Sequence, residues 1–195
     1  MKPEESTGDR LLAGAATLFR QKGYAGTTTR ELSGLLGLQN ASLYHHISGK
    51  EDILFRLCMG ALEHVAEGID QVMDPRLSPI DQLRALALRY TQIALEDRDR
   101  HATMLIEIRA LSDARRTEVV EARDKNVRRV QDVIAAALSE GEIRQDIDVK
   151  YVTLALFNLL NWSIFWWRPD GEIEASELAE ILWKVFADGA VTSRT

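Results

Sequence analysis

The sequence predicts an all-α protein in which a three-helix, helix-turn-helix head precedes a larger helical body, about nine helices in all. Three observations predict this. The chain has 195 residues and is 46% hydrophobic, enough for a small head and a body with its own core. From Glu51 onward no strand-like alternation occurs, and each long segment has helical period and helical punctuation. Residues 27–50, TTTRELSGLLGLQNASLYHHISGK, contain two short helical patterns joined by a glycine turn and followed by a third helix start.

The head is read in order. Leu12, Ala15, Ala16 and Phe19 fall at i, i+3, i+4 and i+7, and the helix is expected to stop at Gly23. Thr28 and Glu31 have capping-box spacing, in which the hydroxyl takes an orphan backbone N–H and the carboxylate reaches back to the cap. Leu32, Leu35 and Leu36 then share a face, Gly37 supplies a left-handed stop, and Leu38 plugs the corner. A second short helix is predicted over residues 40–47, with Leu43 and Ile47 turned inward. Asn40, Ala41, Tyr44 and His45 then face outward, with polar groups for base edges or phosphates. Ser48 and Glu51 form a second capping-box pattern, placing Lys50 at a helix N-terminus suited to an anion.

The body follows the same logic. A helix from Glu51 to about Val72 is closed by Pro75. Ser78-Pro79 is a cap with proline at the first helical position, and Ile80, Leu83, Ala87, Tyr90 and Ala94 recur on one face up to the charged run at residues 96–100. A short apolar stretch, residues 102–111, precedes a charged segment that grades into Val127, Val130, Ile134 and Leu138 and stops at Gly141. Asp146 or Asp148 can cap the next helix. Residues 151–167 carry no charge, yet 17 residues at ~1.5 Å each reach about 26 Å, short of the roughly 30 Å of a bilayer core. Thr153, Asn158, Asn161 and Ser163 dilute it further, so no membrane span is expected. A helix apolar on nearly all sides is instead buried against its own core and a second chain. Arg168-Pro169-Asp170-Gly171 has type I turn chemistry. Leu178, Ile181, Leu182, Val185 and Phe186 then mark the last helix, ended by Gly189. Two such helices form an antiparallel hairpin that, paired with its copy, makes a four-helix homodimer interface.

Composition bounds the function. Net charge is −6, but residues 1–50 carry 6 Lys+Arg against 4 Asp+Glu, net +2, leaving 18 against 26, net −8, for the rest. A mildly basic head on an acidic body presents one end to nucleic acid. The lone Cys58 offers no disulfide framework, so a reducing cytoplasm is expected and Cys58 is read as a core residue. The polar start, MKPEESTGDR, lacks a signal-peptide pattern, so the mature protein is expected to begin at residue 1. No phosphate loop, H-E-x-x-H or cysteine pair occurs; no cofactor, metal or enzymatic activity is expected. His45 and His46 are adjacent and diverge, while His64 and His101 are isolated. Glu107 and Arg109 interrupt an apolar stretch and are read as one solvated face, with a ligand role as the alternative. Asn158, Trp162 and Phe165 share a face at i, i+4 and i+7 that mixes an amide with large rings, as a pocket wall does. Trp166 and Leu159 are assigned to the dimer.

Residues 11–54 resemble the N-terminal domain of the TetR family of bacterial transcriptional regulators, through Leu18-Phe19, Lys22-Gly23-Tyr24, the Thr27 to Thr29 run, Gly37, Leu43-Tyr44-x-His46 and Lys50-Glu51. The resemblance implies a DNA-binding domain over residues 1–50 and a ligand-binding and dimerisation domain over residues 51–195. It also implies a homodimeric repressor that binds double-stranded operator DNA and leaves it when a small-molecule effector binds. By the same resemblance Asn40, Ala41 and Tyr44 face bases, while Thr28, Thr29, Ser42, His45, His46 and Lys50 face or position phosphates. Gln39 and Asn40 depart from the family, which often opens this helix with Ser or Thr and then Lys or Arg, so Asn40 has competing roles as cap and base reader. Residues 140–171 are similar to TetR-family repressors of fatty-acid and sterol catabolism, whose ligands are acyl-CoA thioesters. That implies a large apolar effector with an anionic end, with Met104, Ile108, Arg109, Asn158, Trp162 and Phe165 as candidate lining and Arg109, His101 and Arg168 as candidate anion contacts. An effector-independent DNA-binding accessory protein and a small helical enzyme are the alternatives.

Overall fold

The computed structural model describes residues 7–35 and 48–190. Among these there is no strand, and the elements are α1 (Thr7–Gly26), α2 (Thr29–Gly34), α3 (Lys50–Val72), α4 (Pro79–Glu96), α5 (Arg98–Glu107), a 3-10 turn (Ile108–Ala110), α6 (Asp113–Ser139), α7 (Val149–Trp166) and α8 (Ala175–Ala190). The all-α expectation is met. The second helix of the predicted helix-turn-helix, residues 40–47, lies outside the described residues, as do Gly37 and Leu38.

The chain divides into two compact units, Met1–Leu62 with Arg98–Ala122, and Glu63–Asp97 with Arg123–Thr195. The first gathers α1, α2, the start of α3 and, from far along the chain, α5, the 3-10 turn and the start of α6. Its core joins Leu11, Ala15, Ala16 and Phe19 of α1, Leu32 of α2, Ile53, Leu54, Leu57 and Cys58 of α3, Met104 of α5, and Leu111 and Val119. The buried stripe of α1 thus begins at Leu11, with Leu12 only partly buried, one position earlier than the periodicity suggested. Burial pushes the Cys58 thiol up to about 12, leaving it an inert core atom.

Polar fastenings hold α5 against α1. Asp99, in the first turn of α5, accepts hydrogen bonds from Thr17 Oγ1 at 2.7 Å and Arg20 Nη1 at 2.5 Å. Burial raises the Asp99 carboxyl, but these two donors outweigh it and hold the group below its ordinary value. Thr103 Oγ1 donates to the Ala16 carbonyl at 3.3 Å, and Glu107 Oε1 accepts from Tyr24 N–H at 3.1 Å. Asp99, Thr103 and Glu107 stand at i, i+4 and i+8, one face of a helix. The charged run at residues 96–100 therefore opens a helix, where the sequence suggested only an ending.

In the second unit α4 packs against α7 and α8, and α7 against α8. Ser78 Oγ caps α4 by accepting from Asp81 N–H at 3.3 Å, with Pro79 at the first position. Gly141, at φ 75°, closes α6, with Glu142 N–H bonded to the Ala137 carbonyl at 2.9 Å, the left-handed stop the sequence called for. Asp148 rather than Asp146 caps α7, accepting from Lys150 N–H at 2.8 Å, while Asp146 pairs with Arg144. The Arg168 carbonyl accepts from Gly171 N–H at 3.0 Å, closing the predicted turn of the hairpin. Gly189 does not end α8, which runs to Ala190.

Phe19 is 1% exposed at the centre of the first unit. Phe19→Ala is expected to lower the unfolding free energy by about 3–5 kcal/mol in urea denaturation, through lost burial and the cavity left behind.

Candidate nucleic-acid interface

The described part of the interface is the corner between α1 and α2 and the start of α3. α1 breaks at Gly23, whose φ of 74° and ψ of 159° no L side chain adopts cheaply. Thr27 is buried and repairs the break, its hydroxyl donating to the Gly23 carbonyl at 2.9 Å and its N–H to the Tyr24 carbonyl at 3.2 Å. α2 then opens on the predicted capping box, with Glu31 N–H to Thr28 Oγ1 at 3.2 Å and Thr28 N–H to Glu31 Oε2 at 2.8 Å. Lys22 Nζ lies 2.5 Å from Glu31 Oε1. The Lys22 hydrogen bond, then those of Thr28, push the Glu31 carboxyl down to about 2.

Lys50 closes the corner. Its Nζ donates to the Tyr24 carbonyl at 2.6 Å and the Thr27 carbonyl at 2.8 Å, and lies 4.2 Å from the Tyr24 ring centroid. The Ser48–Glu51 capping box is not formed. α3 opens from the Gly49 carbonyl, which accepts from Asp52 N–H at 3.1 Å, while Glu51 Oε1 takes Ser112 N–H at 2.9 Å, ahead of α6. Beside it Asp52 pairs with Arg115 at 3.1 Å. Burial raises the Tyr24 phenol above its ordinary value; Glu51 adds to this and Arg115 opposes it.

Of the DNA-facing candidates, Thr28 is exposed, Thr29 half-buried and Lys50 half-buried in the corner; Asn40, Ala41, Ser42, Tyr44, His45 and His46 lie outside the described residues. The ligand candidates are divided between the two units. Met104 is a core residue of the first unit, 3% exposed, with Ile108 packed beside it and Arg109 exposed. Asn158, Trp162 and Phe165 belong to the second unit and are exposed; Trp162 is 67% exposed and its ring meets that of Phe165 at 5.0 Å, tilted by 52°. Their spacing places them on one face, as read, but that face also holds Trp166, so pocket wall and dimer surface are not separate sides of α7. Leu159, grouped with Trp166 by the sequence, is half-buried. His101 is buried, and Arg168 is paired with Asp170 in the hairpin turn.

Other residues carry polar order that the sequence reading missed. Asn161, not Asn158, turns inward: its Oδ1 accepts from the Tyr90 hydroxyl, whose ring meets Phe157 edge-on at 5.4 Å. Burial raises the Tyr90 phenol and the Asn161 bond opposes it. The second unit also has a cleft of about 310 Å3 lined by Met73, Pro79, Gln82, Arg129, Asp132, Val133 and Ala136, none of them a predicted ligand residue. Glu107, read as part of a solvated face, is hydrogen-bonded to the α1 corner; its i+8 spacing from Asp99 was the signal.

A capped two-helix corner in an all-helical chain is the setting of a DNA-binding regulator of transcription, and the relatives of the chain are regulators of that class rather than enzymes. Residues 11–57 match the model of bacterial regulatory proteins of the tetR family, and residues 76–190 that of the tetracyclin repressor-like C-terminal domain; the chain belongs to the TetR family. The transcriptional repressor KstR2 of Mycolicibacterium smegmatis is 29% identical over 193 residues, covering 97% of this chain and 93% of that protein. The TetR-family regulator PfmR from Thermus thermophilus is 31% identical with a TM-score of 0.84, covering 92% of this chain and 98% of that one. AibR, solved with isovaleryl coenzyme A and operator DNA, shares the fold at a TM-score of 0.83 and 24% identity, covering 92% of this chain and 97% of its own.

Two outcomes test the corner. Thr28→Ala is expected to lower stability by about 1 kcal/mol in urea, the usual contribution of a hydroxyl N-cap. Because the folded Glu31 carboxyl lies near 2, below its unfolded value, its stabilisation of α2 is present above about pH 4.5 and fades as pH falls toward 2. Carbon NMR of the Glu31 carboxyl should titrate near 2 in wild type and higher in Lys22→Ala/Thr28→Ala, which removes both side-chain donors and leaves the backbone N–H of residue 28.

Proposed function

We propose that the chain is a homodimeric, ligand-responsive repressor that occupies a pseudo-palindromic operator and leaves it when an effector binds. The observation that carries the dimer is a set of large exposed apolar residues on one hairpin: Tyr151, Leu154, Trp162, Phe165 and Trp166 on α7 are 37–67% exposed, with only Asn158 polar among the exposed residues between them, and Ile181 and Val185 on α8 are at 41% and 58%. Large apolar side chains in a contiguous patch mark a protein interface. A second copy of the hairpin covers them as a four-helix interface.

The head, assigned to residues 1–50, reads DNA with Asn40, Ala41 and Tyr44 toward bases and Thr28, Thr29, Ser42, His45 and His46 toward phosphates. Two heads of a dimer span half-sites about one turn, ~34–36 Å, apart. The remaining residues hold the effector, which we assign to the acyl-CoA thioester class; the AibR complex with isovaleryl coenzyme A supports that class. Of the candidate lining, Met104, Ile108 and Arg109 are kept to be tested, with Arg109, His101 and Arg168 for the anionic end, while Asn158, Trp162 and Phe165 lie on the face given above to the dimer. No helix among the described residues is long and apolar enough to cross a membrane, which suits action on DNA in the cytoplasm.

Selection from a random duplex library should return a pseudo-palindrome, and Tyr44→Ala should weaken binding to it by at least about tenfold. Titration with a panel of acyl-CoA esters should then weaken operator binding by about 100-fold or more, roughly 2.7 kcal/mol. Intact operator binding that no ester alters would favour an effector-independent accessory protein. Light scattering should give a dimer, and Trp166→Glu a monomer; a monomeric wild type contradicts the interface.

A further inference from the structure

We propose that Glu107 and Lys50 are positioning residues for DNA binding, which together clamp the Tyr24 peptide and so fix the direction in which α2 leaves α1. The proposal rests on the DNA-binding reading above. It changes the role that resemblance gives Lys50, and adds a residue of α5 that neither motif nor resemblance assigns.

The break at Gly23 creates the need. With ψ at 159° the Tyr24 N–H is turned out of the helical ladder, and Glu107 Oε1 takes it at 3.1 Å. The carbonyl of the same residue accepts from Lys50 Nζ at 2.6 Å. Lys50 also holds the Thr27 carbonyl at 2.8 Å, one residue before the cap of α2. An acid from α5 and a base from α3 thus grip the two ends of one corner residue. Charge-assisted bonds of this kind are stronger and more directional than neutral ones. With two of its three N–H groups on carbonyls and the ring of Tyr24 beneath it, the Lys50 ammonium faces the corner. On the DNA-binding reading the residues that follow α2 in the chain are those that face bases, so the direction of α2 matters to them.

Electrostatics makes the proposal testable by sign. Deleting a carboxylate from a DNA-binding unit ordinarily strengthens or leaves unchanged its attraction for phosphate. Here Glu107→Ala is expected to weaken binding to the selected operator duplex by at least about tenfold, on the scale of one charge-assisted hydrogen bond. Glu107→Gln, which keeps an acceptor oxygen without the charge, should bind within about threefold of wild type. Lys50→Met should weaken binding with no change in the slope of log affinity against log salt, whereas loss of a phosphate contact would flatten that slope by about 0.9 per protomer. Glu107→Ala binding as tightly as wild type, Glu107→Gln as weak as the alanine variant, or a flattened slope for Lys50→Met would each overturn the proposal. Thermal melts establish that each variant is folded at the assay temperature. Amide hydrogen exchange on the wild-type protein decides independently of any variant: the Tyr24 N–H should be protected, and exchange at the rate of an open amide refutes the clamp. If the wild type selects no operator the functional reading fails, and the Tyr24 amide still judges the clamp.

Discussion

The attachment of α5 to α1 is the contact on which the order of the first unit depends. α1 is interrupted by a glycine and α2 has only six residues, too few to be stable through their own backbone bonds. Both need a floor, and the chain supplies it from residues 98–122. Asp99, Thr103 and Glu107 address α1 at successive turns, while Met104 enters the shared core between them. Apolar burial supplies the attraction; the three polar fastenings set the register, because hydrogen bonds fail when helices slide by a fraction of a turn whereas apolar contacts can adjust.

Much of this architecture was legible in the residues. Local chemistry read best: the Thr28 capping box, the Ser78-Pro79 start, the Gly141 stop and the Arg168 turn are all formed, because each is settled within four or five residues. What the sequence concealed was long-range pairing. Glu51 fits a capping box with Ser48 equally well on paper, but the Ser112 N–H competes for it. Glu107 looked like one of two charges on a wet face; its spacing from Asp99 marks a shared helix face, but does not name the bare N–H more than eighty positions earlier that this face meets.

The faces of α7 were hard to rank from sequence for a related reason. Periodicity groups Asn158, Trp162 and Phe165 correctly yet is silent about which group faces the protein's own core, and α7 is apolar on nearly every side. Asn161 and Asn158 are equivalent as sequence; only the Tyr90 hydroxyl, brought across from α4, separates the half-buried amide from the exposed one. The exposed aromatics then take the outer side, where the Trp162 and Phe165 rings meet at a tilt.

The composition of the first unit bears on how such proteins are recombined. A head that ended at residue 50 could be exchanged between relatives like a cassette. Here the graft would leave behind the acid that closes the first corner, the threonine and aspartate that set its register, and the methionine in its core. Chimeras joined at residue 50 therefore inherit a foreign floor, and the piece that must travel with the head is discontinuous: residues 98–122, drawn from the middle of the chain.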